Sequence, residues 1–543
     1  MTVSKPFAIT LGAHTSLANH TGSWRTERPQ YVERTPPCSG ACPAGEPVRE
    51  WLSAAEEGGY EAAWRRIVVE NPFPAVMGRV CYHPCETACN RGELDSAVGI
   101  NSVERFLGDE AIRQAWRLPD AGRSTGKRVL VVGAGPAGLS AAYQLRRAGH
   151  SVVVRDGAAQ AGGMMRAGIP TFRLPRDVLD IEIARLEDVG VVFELGRRVD
   201  DVLADKRDGA FDAVFLAIGA QLAHRAYVPA AHAARLLDAL ELLGAAADGE
   251  RPSLGHRVVV YGGGNTAMDA ARTARRLGAE DALIVYRRTR AVMPANAVEL
   301  DEAEAEGVRF RWLSTIREVD GRGVTVERME LGADGRPTPT GETEVLTADA
   351  VVLAIGQDVD RTALDRVPGL AVDDGVVAVD AAMRTGHEGV FAGGDMVAGP
   401  RSVTAAIGHG KAAARHIDAW LRKLPEPQPG DGSARQAVFT DLNTWYYTDA
   451  PHAVRPRLEA ARRVSDFTEV VGGLDAGTAL YEARRCLSCG SCFSCDNCYG
   501  VCPDNAVRKT ADGYEIDYDF CKGCGLCVAE CPCGAIELVP EPD

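Results

Sequence analysis

The sequence has no long apolar run. No stretch reaches about 18 apolar residues, the length a membrane-spanning helix requires, so no membrane span is expected. Its first residues, MTVSKPFAITLGAHTSLANH, lack a basic segment followed by an apolar one, and no secretory signal is predicted. Basic residues are in deficit. Sixty Lys and Arg against 75 Asp and Glu leave a net charge of −15. That balance argues against nucleic acid as the main partner. It suits a soluble protein that meets a basic partner face. At 543 residues, 46% of them hydrophobic, three or four domains with sizeable cores are expected.

Sulfur, by contrast, is abundant and unevenly placed. Eleven of the 16 cysteines fall in CLSCGSCFSCDNCYGVCPDNAV and CKGCGLCVAECPCGAI near the C-terminus. Thiols spaced this closely, without a signal, read as metal ligands rather than disulfides, and the cytoplasm is the expected compartment. The pattern C-x2-C-x2-C-x3-C-P occurs twice: Cys492, Cys495, Cys498, Cys502 before Pro503, and Cys521, Cys524, Cys527, Cys531 before Pro532. Three such thiolates wrap one corner of an iron–sulfur cube, and the fourth ligates the other cluster. One [4Fe–4S] cluster is therefore assigned to Cys492, Cys495, Cys498 and Cys531. The other takes Cys521, Cys524, Cys527 and Cys502. Zinc modules use two pairs with a longer gap and commonly include histidine. Neither copy here contains a histidine. The tail resembles bacterial two-cluster ferredoxins. CYGVCPDNAV with YDFCKGCGLCVAECPCGAI resembles, more narrowly, the delta subunit of 2-oxoacid:ferredoxin oxidoreductases. Cys533 has no role in that pattern.

In the middle, KRVLVVGAGPAGLSAAYQLRRAGHSVVVRD reads as strand, glycine turn, helix and second strand. Gly133 permits the turn, Gly135 lets backbone approach a pyrophosphate, and Gly138 lets helix and strand pack. The helix N-terminus then faces the phosphates. Asp156 ends the second strand, where a carboxylate can hold a ribose hydroxyl. GHRVVVYGGGNTAMDAARTARRLGAEDALIVYRRTR repeats the plan with Gly262, Gly264 and Ala267. Its second strand ends in Arg287 and Arg288, which favours a 2′-phosphate and hence NADPH, with NADH possible. The plainer alternative is a solvated basic turn, since Arg290 lies close by. DAVFLAIGA and DAVVLAIGQ are matching apolar strands, and VFAGGDMVAGPRSVTAAIGHGKAAA follows with Gly394 and Asp395.

Residues 125 to 422 resemble the flavoprotein reductases with two dinucleotide-binding domains. AGGMMRAGIPTFRLPRDVL and VYRRTRAVMPA resemble the small (beta) subunit of bacterial glutamate synthase. The resemblance implies FAD contacts at Gly133, Gly135, Gly138, Asp156, Gly163, Gly394 and Asp395. It implies NADPH contacts at Gly264, Asn265, Thr266, Arg287 and Arg288. Pro136, Ala137, Arg173, Gly262 and Thr404 are further candidate cofactor-binding residues. No catalytic acid–base pair or triad is required, because hydride passes between rings that the fold holds together. His256 and His409 read as structural or solvated.

The head contains TPPCSGACPAGEPVREWL and GRVCYHPCETACNRGELDSAVGINSVERFLGD, separated by an expected amphipathic helix over 47–70. It resembles the N-terminal iron–sulfur domain shared by glutamate synthase and dihydropyrimidine dehydrogenase, which carries two clusters. The usual opening C-x2-C pair is missing before Cys38, Cys42 and Pro43. The resemblance implies that Cys42, Cys81 and Cys85 share a cluster whose fourth ligand, a Gln in the pattern, is replaced by Glu104. Cys38 and Cys89 are alternatives for that place. YEARRCLSCG, at the far end of the chain, resembles the missing element. Cys486 and Cys489 are therefore expected to join Cys38 and Cys89 in a second head cluster. The head thus holds one or two [4Fe–4S] clusters; with two, fifteen cysteines plus Glu104 ligate four clusters in all, leaving Cys533 over.

The expected fold is multidomain α/β. A helical iron–sulfur domain spans 1–124, an FAD-binding domain 125–250 and 360–422, and an NAD(P)H-binding domain 251–359. A linker or docking segment containing PEPQPGDG spans 423–485, and an α+β ferredoxin-like domain spans 486–543. No flavin barrel or amidotransferase is evident. The expected function is an NAD(P)H:acceptor oxidoreductase, passing electrons through FAD and clusters to or from ferredoxin or a 2-oxoacid oxidoreductase. Alternatives are a partner of dissimilatory sulfite reductase, a glutamate synthase small subunit, or a scaffold without nicotinamide chemistry. A homodimer or a subunit of a larger complex is expected.

Overall fold

Two five-stranded parallel sheets form the centre of the chain. The computed structural model describes residues 20–223, 235–320, 323–427 and 435–542. The segment searched for a secretory signal, up to residue 19, and most of PEPQPGDG lie outside the described residues. The first sheet runs Val390–Ala392, Ala213–Leu216, Arg128–Val132, Ser151–Arg155, Val192–Glu194. The second runs Arg309–Arg311, Asp281–Val285, Arg257–Tyr261, Ala350–Leu353, Arg235–Asp238. Their inner strands are almost wholly apolar and buried, as parallel strands covered on both faces must be.

Strand Arg235–Asp238 and helix Ala239–Ala247 were expected with the first sheet, inside 125–250. The strand instead pairs with Ala350–Leu353 at the edge of the second sheet. Three antiparallel strands, Ser314–Asp320, Gly323–Leu331 and Pro337–Leu346, also join this unit.

The head is helical. The single helix expected over 47–70 is two, Val48–Glu56 and Tyr60–Glu70. Gly58, at φ +78°, turns the chain between them. Trp51, Trp64, Leu52 and Ile67 fill the head core, which is continuous with that of the first sheet. Gly410 lets helix Val403–Arg422 lie against helix Pro136–Arg147, since a Cβ there would sit 2.2 Å from the Ala137 carbonyl. On its other side the same helix meets the head. A Cβ on Gly408 would sit 2.1 Å from the Pro43 carbonyl.

The first and last described strands are paired. Strand Glu27–Tyr31 pairs antiparallel with Ile536–Pro540, so the N-terminal region supplies a strand to the cysteine-rich tail. Among the described residues no helix is long and apolar enough to cross a membrane.

Candidate functional site

Both glycine turns open into one cleft of about 450 Å³. Gly135 and Gly264 are the N-caps of helices Pro136–Arg147 and Asn265–Arg276, and neither cap uses a side chain. The free N–H groups of each first turn therefore face the cleft with the positive end of the helix dipole. A Cβ on Gly264 would meet no atom within 4 Å, and one on Gly135 only the Gly163 Cα at 3.9 Å. The fold itself does not demand glycine at these two places. Their bareness widens the cleft where a pyrophosphate approaches. Gly138 differs: its Cβ would lie 1.9 Å from the Gly133 carbonyl oxygen, so it serves helix–strand packing.

Pro136, Ala137, Asp156, Gly163, Arg173, Asn265, Thr266, Gly394 and Asp395 also line the cleft. Asp156 accepts from the Ala134 amide at 2.7 Å and the Ala158 amide at 2.8 Å, which fixes its carboxylate at the strand end. Asn265 Oδ1 accepts from the Asn296 amide at 2.8 Å. Burial raises the Asp395 carboxyl above its ordinary range. Gly394 N donates to His409 Nδ1 at 3.2 Å, so that histidine orients the turn, and burial lowers its pKa. His256 is largely exposed beside Glu280.

Arg173 lines the cleft and also holds a buried ion-pair network. Its guanidinium donates to Asp269 at 2.7 Å and pairs with Glu299. It thus ties the first unit to the second helix. Gly262 makes the second turn and does not line the cleft. Arg287 is exposed and Arg288 half-buried beyond strand Asp281–Val285. No carboxylate pairs with either among the described residues, and Arg288 Nε is buried without a partner. Arg290, by contrast, is held by Asp301 at 2.8 Å and by Glu304 at 2.5 Å.

The head cysteines divide into two sets. Cys42, Cys81, Cys85 and Glu104 line one small cavity, together with Thr404. The Thr404 hydroxyl donates to Cys81 Sγ at 3.2 Å. Glu104 is buried beside Glu46, and the Asn71 amide donates to both, at 3.1 and 2.9 Å. Burial and the neighbouring carboxylate raise the Glu104 pKa. Cys38, Cys89, Cys486 and Cys489 line a second cavity. The chain ends thus meet in the head, and Arg485 holds them there. Its buried guanidinium donates to the Ala97 carbonyl at 2.9 Å and pairs with Asp95 at 3.2 Å, while Arg91 donates to its carbonyl at 2.8 Å. Sequence reasoning named the R-C-L-x-C element but missed this arginine's anchoring role. Two arginines before a cysteine motif were the available signal.

In the tail, Cys502, Cys521, Cys524 and Cys527 line one cavity. Cys498 and Cys531 are buried, and Cys492 and Cys495 are exposed. The Tyr31 hydroxyl lies 3.2 Å from Cys498 Sγ. Cys533 is buried with its sulfur 3.8 Å from that of Cys531. All sixteen thiols are free. Burial pushes Cys38 and Cys81 up to about 12 and Cys489 to about 11. Thiols so buried ionise only with a cation to compensate. Among the described residues no group of three or more His, Cys, Asp or Glu closes on a point to hold a single metal ion. Thiols disposed around separate cavities suit the corners of a cluster better than a lone ion.

Comparison with known proteins accords with this geometry. The sequence profile of the pyridine nucleotide–disulphide oxidoreductases matches residues 127–410. That of dihydropyrimidine dehydrogenase domain II, with its 4Fe-4S cluster, matches 27–116, and a 4Fe-4S binding domain matches 514–537. The chain is 36% identical to the beta subunit of an NADP(+)-dependent formate dehydrogenase from Moorella thermoacetica, over 84% of this chain and 70% of the relative. It is 34% identical to the beta subunit of an NADPH-Fe(3+) oxidoreductase from Geobacter sulfurreducens, over 85% of this chain and 76% of the relative. It is 35% identical to the glutamate synthase [NADPH] small chain of Escherichia coli, over 71% of this chain and 89% of the relative. FAD, a nicotinamide dinucleotide and [4Fe–4S] clusters are the cofactors of such an oxidoreductase. The chain belongs to the pyridine nucleotide–disulphide oxidoreductase family, in its branch of NAD(P)H-dependent iron–sulfur flavoproteins with the glutamate synthase small chains.

Proposed function

We propose that this chain is the reductase component of a larger redox system, exchanging electrons between NADPH and a partner enzyme of the 2-oxoacid oxidoreductase kind. The observation that carries the reading is the single cleft shared by both glycine turns, whose lining includes Val80, Tyr82 and Val403, the chain neighbours of Cys81 and Thr404 in the head's cysteine cavity. A flavin takes hydride from nicotinamide and releases electrons singly, and iron–sulfur clusters carry single electrons.

The chain's own residues hold and orient these groups. Gly135, Pro136, Ala137, Gly163, Gly394 and Asp395 cradle FAD, with Asp156 at its ribose. Gly264, Asn265 and Thr266 cradle the second dinucleotide. Arg287 and Arg288 select NADPH: neither has an acidic partner among the described residues, and their forks match a phosphate. The head sets are Cys42, Cys81, Cys85 with Glu104, and Cys38, Cys89, Cys486 with Cys489. The tail sets are Cys492, Cys495, Cys498 with Cys531, and Cys502, Cys521, Cys524 with Cys527. Sixteen free thiols suit a reducing compartment such as the cytoplasm. The relatives named as formate dehydrogenase and iron reductase subunits support a chain that serves a partner.

An anaerobic titration with NADPH, and separately NADH, tests the reading by following flavin and cluster absorbance together. Bleaching of flavin by NADPH at lower concentration than by NADH is the expected result. Inertness of a fully loaded chain toward both nucleotides would make it a scaffold.

A further inference from the structure

The most exposed large apolar side chain of the described residues is Trp445, 88% accessible. Its side chain is left to solvent, yet its position is fixed. The adjoining Asn443 donates its side-chain amide to the Ala529 carbonyl at 2.8 Å and its backbone N–H to the Pro532 carbonyl at 3.2 Å. Tyr446 donates its hydroxyl to Glu530. These anchors flank Cys531. Two more features fall at the same cysteine set. Phe493, also exposed, lies between Cys492 and Cys495, and both of those cysteines are exposed.

The tail as a whole carries an acidic excess, although Arg25 and Arg34 of the N-terminal region pair with Glu541 at 2.6 Å and Glu537 at 3.0 Å. Residues 486–543 contain ten Asp or Glu against three Lys or Arg. All three cations are already used: Arg508 pairs with Asp517, Lys509 with Asp496 at 2.7 Å, and Lys522 with Asp504 at 3.2 Å. Glu530 pairs with no cation among the described residues.

We propose that Trp445, Tyr446 and Phe493 are the apolar centre of the docking surface for the electron partner, and that the partner presents a cationic face. The inference rests on the proposed function and takes the C-terminal two-cluster module as the point where electrons leave the chain, the electron outlet. Exposed tryptophan is the side chain most often found to carry binding energy at the centre of an interface. An acidic surround steers a basic partner and fixes its orientation. The tail thus takes the part a free ferredoxin would play, and its partner is an enzyme with a basic socket rather than another acidic carrier.

The test uses the full holoenzyme, reduced with dithionite and freed of excess, so that nicotinamide and flavin chemistry are bypassed. It is mixed in a stopped-flow instrument with cytochrome c, a basic one-electron acceptor, or with succinylated cytochrome c, whose lysines have been made acidic. One electron leaves the tail and converts ferric haem to ferrous. The expected result is a rate constant at least tenfold higher for the native cytochrome at low salt, with the gap closing as salt rises. Trp445→Ser should slow the native reaction at least fivefold and Trp445→Phe restore it, with the tail's electron paramagnetic resonance signals unchanged. Equal rates with both cytochromes, or an unaltered rate in Trp445→Ser, would overturn the proposal. So would a Trp445→Ser variant that changes only from dimer to monomer, which would assign the patch to a second copy. Failure of NADPH to reduce the tail in a separate experiment would strike the outlet reading and leave this measurement standing.

Discussion

The hydroxyl of Thr404 rests 3.2 Å from the sulfur of Cys81. The contact joins the first turn of helix Val403–Arg422, whose neighbours Val403 and Ala406 line the cleft, to the head's cysteine cavity. A hydrogen bond to a ligating sulfur stabilises the more negative, reduced state of a cluster. Thr404→Val keeps the side chain's shape and removes the donor. A bond worth about 1 kcal/mol corresponds to about 40 mV for one electron. The midpoint potential of one head cluster should fall by roughly that much, with flavin content unchanged. A potentiometric titration followed by electron paramagnetic resonance reads it. An unmoved potential would mean that Cys81 does not ligate.

Arg287 and Arg288 supply the nucleotide prediction. Each charge-assisted bond to a phosphate contributes about 1.5–3 kcal/mol. Arg287→Ala/Arg288→Ala should therefore raise KM for NADPH by at least about tenfold. KM for NADH should move less than about twofold, because no phosphate is lost. Steady-state reduction of a dye at both nucleotides measures the ratio. Equal increases for the two would return these arginines to a solvated turn.

The second head set makes a compositional prediction. If Cys486 and Cys489 ligate with Cys38 and Cys89, Cys486→Ser/Cys489→Ser should lose about one quarter of the iron and acid-labile sulfide of a four-cluster chain. Arg485→Ala tests the same arrangement from outside the ligands. It takes the guanidinium from the fully buried Glu482, 2.5 Å away, and leaves the Ala97 carbonyl without its donor, and should destabilise the head by about 3–5 kcal/mol. Unchanged iron in the double cysteine variant would sink the assignment.

How much of this was readable follows from the range of the interactions. The glycine turns and the cysteine spacings are local codes; the turns lead to the cleft, and three of the four cysteine sets lead to a cavity. Cys486 and Cys489 were linked to the head by motif and by count, and the fold brings them to Cys38 and Cys89. The pairing of Glu27–Tyr31 with Ile536–Pro540 had no local signal, because strand partners are chosen by tertiary packing. Strand Arg235–Asp238 went to the other sheet for the same reason. Arg173 was expected at a cofactor, and its charge is also used against Asp269 and Glu299. The split of the 47–70 helix was legible in Gly58–Gly59 and was overlooked.

The last prediction concerns the joint between head and first sheet. Glu182, on helix Arg176–Asp188, is fully buried and accepts from the Ala75 and Val76 amides at 3.0 and 2.9 Å. It thereby caps helix Pro74–Val80 from another part of the chain. Burial pushes its pKa up to about 7, against the pull of these amides and Arg185. The folded protein then keeps a proton that the unfolded chain releases above its ordinary pKa of about 4.5. Between those two values unfolding releases a proton, so this group's contribution to stability is full below the window and is lost as pH rises through it. The whole shift corresponds to about 3 kcal/mol. Glu182→Gln removes the titration and keeps one acceptor. The melting temperature of the wild type relative to this variant should therefore fall between pH 5 and 8. A flat or rising difference would show the carboxylate ionised throughout, held by the two amides and Arg185 against the cost of burial.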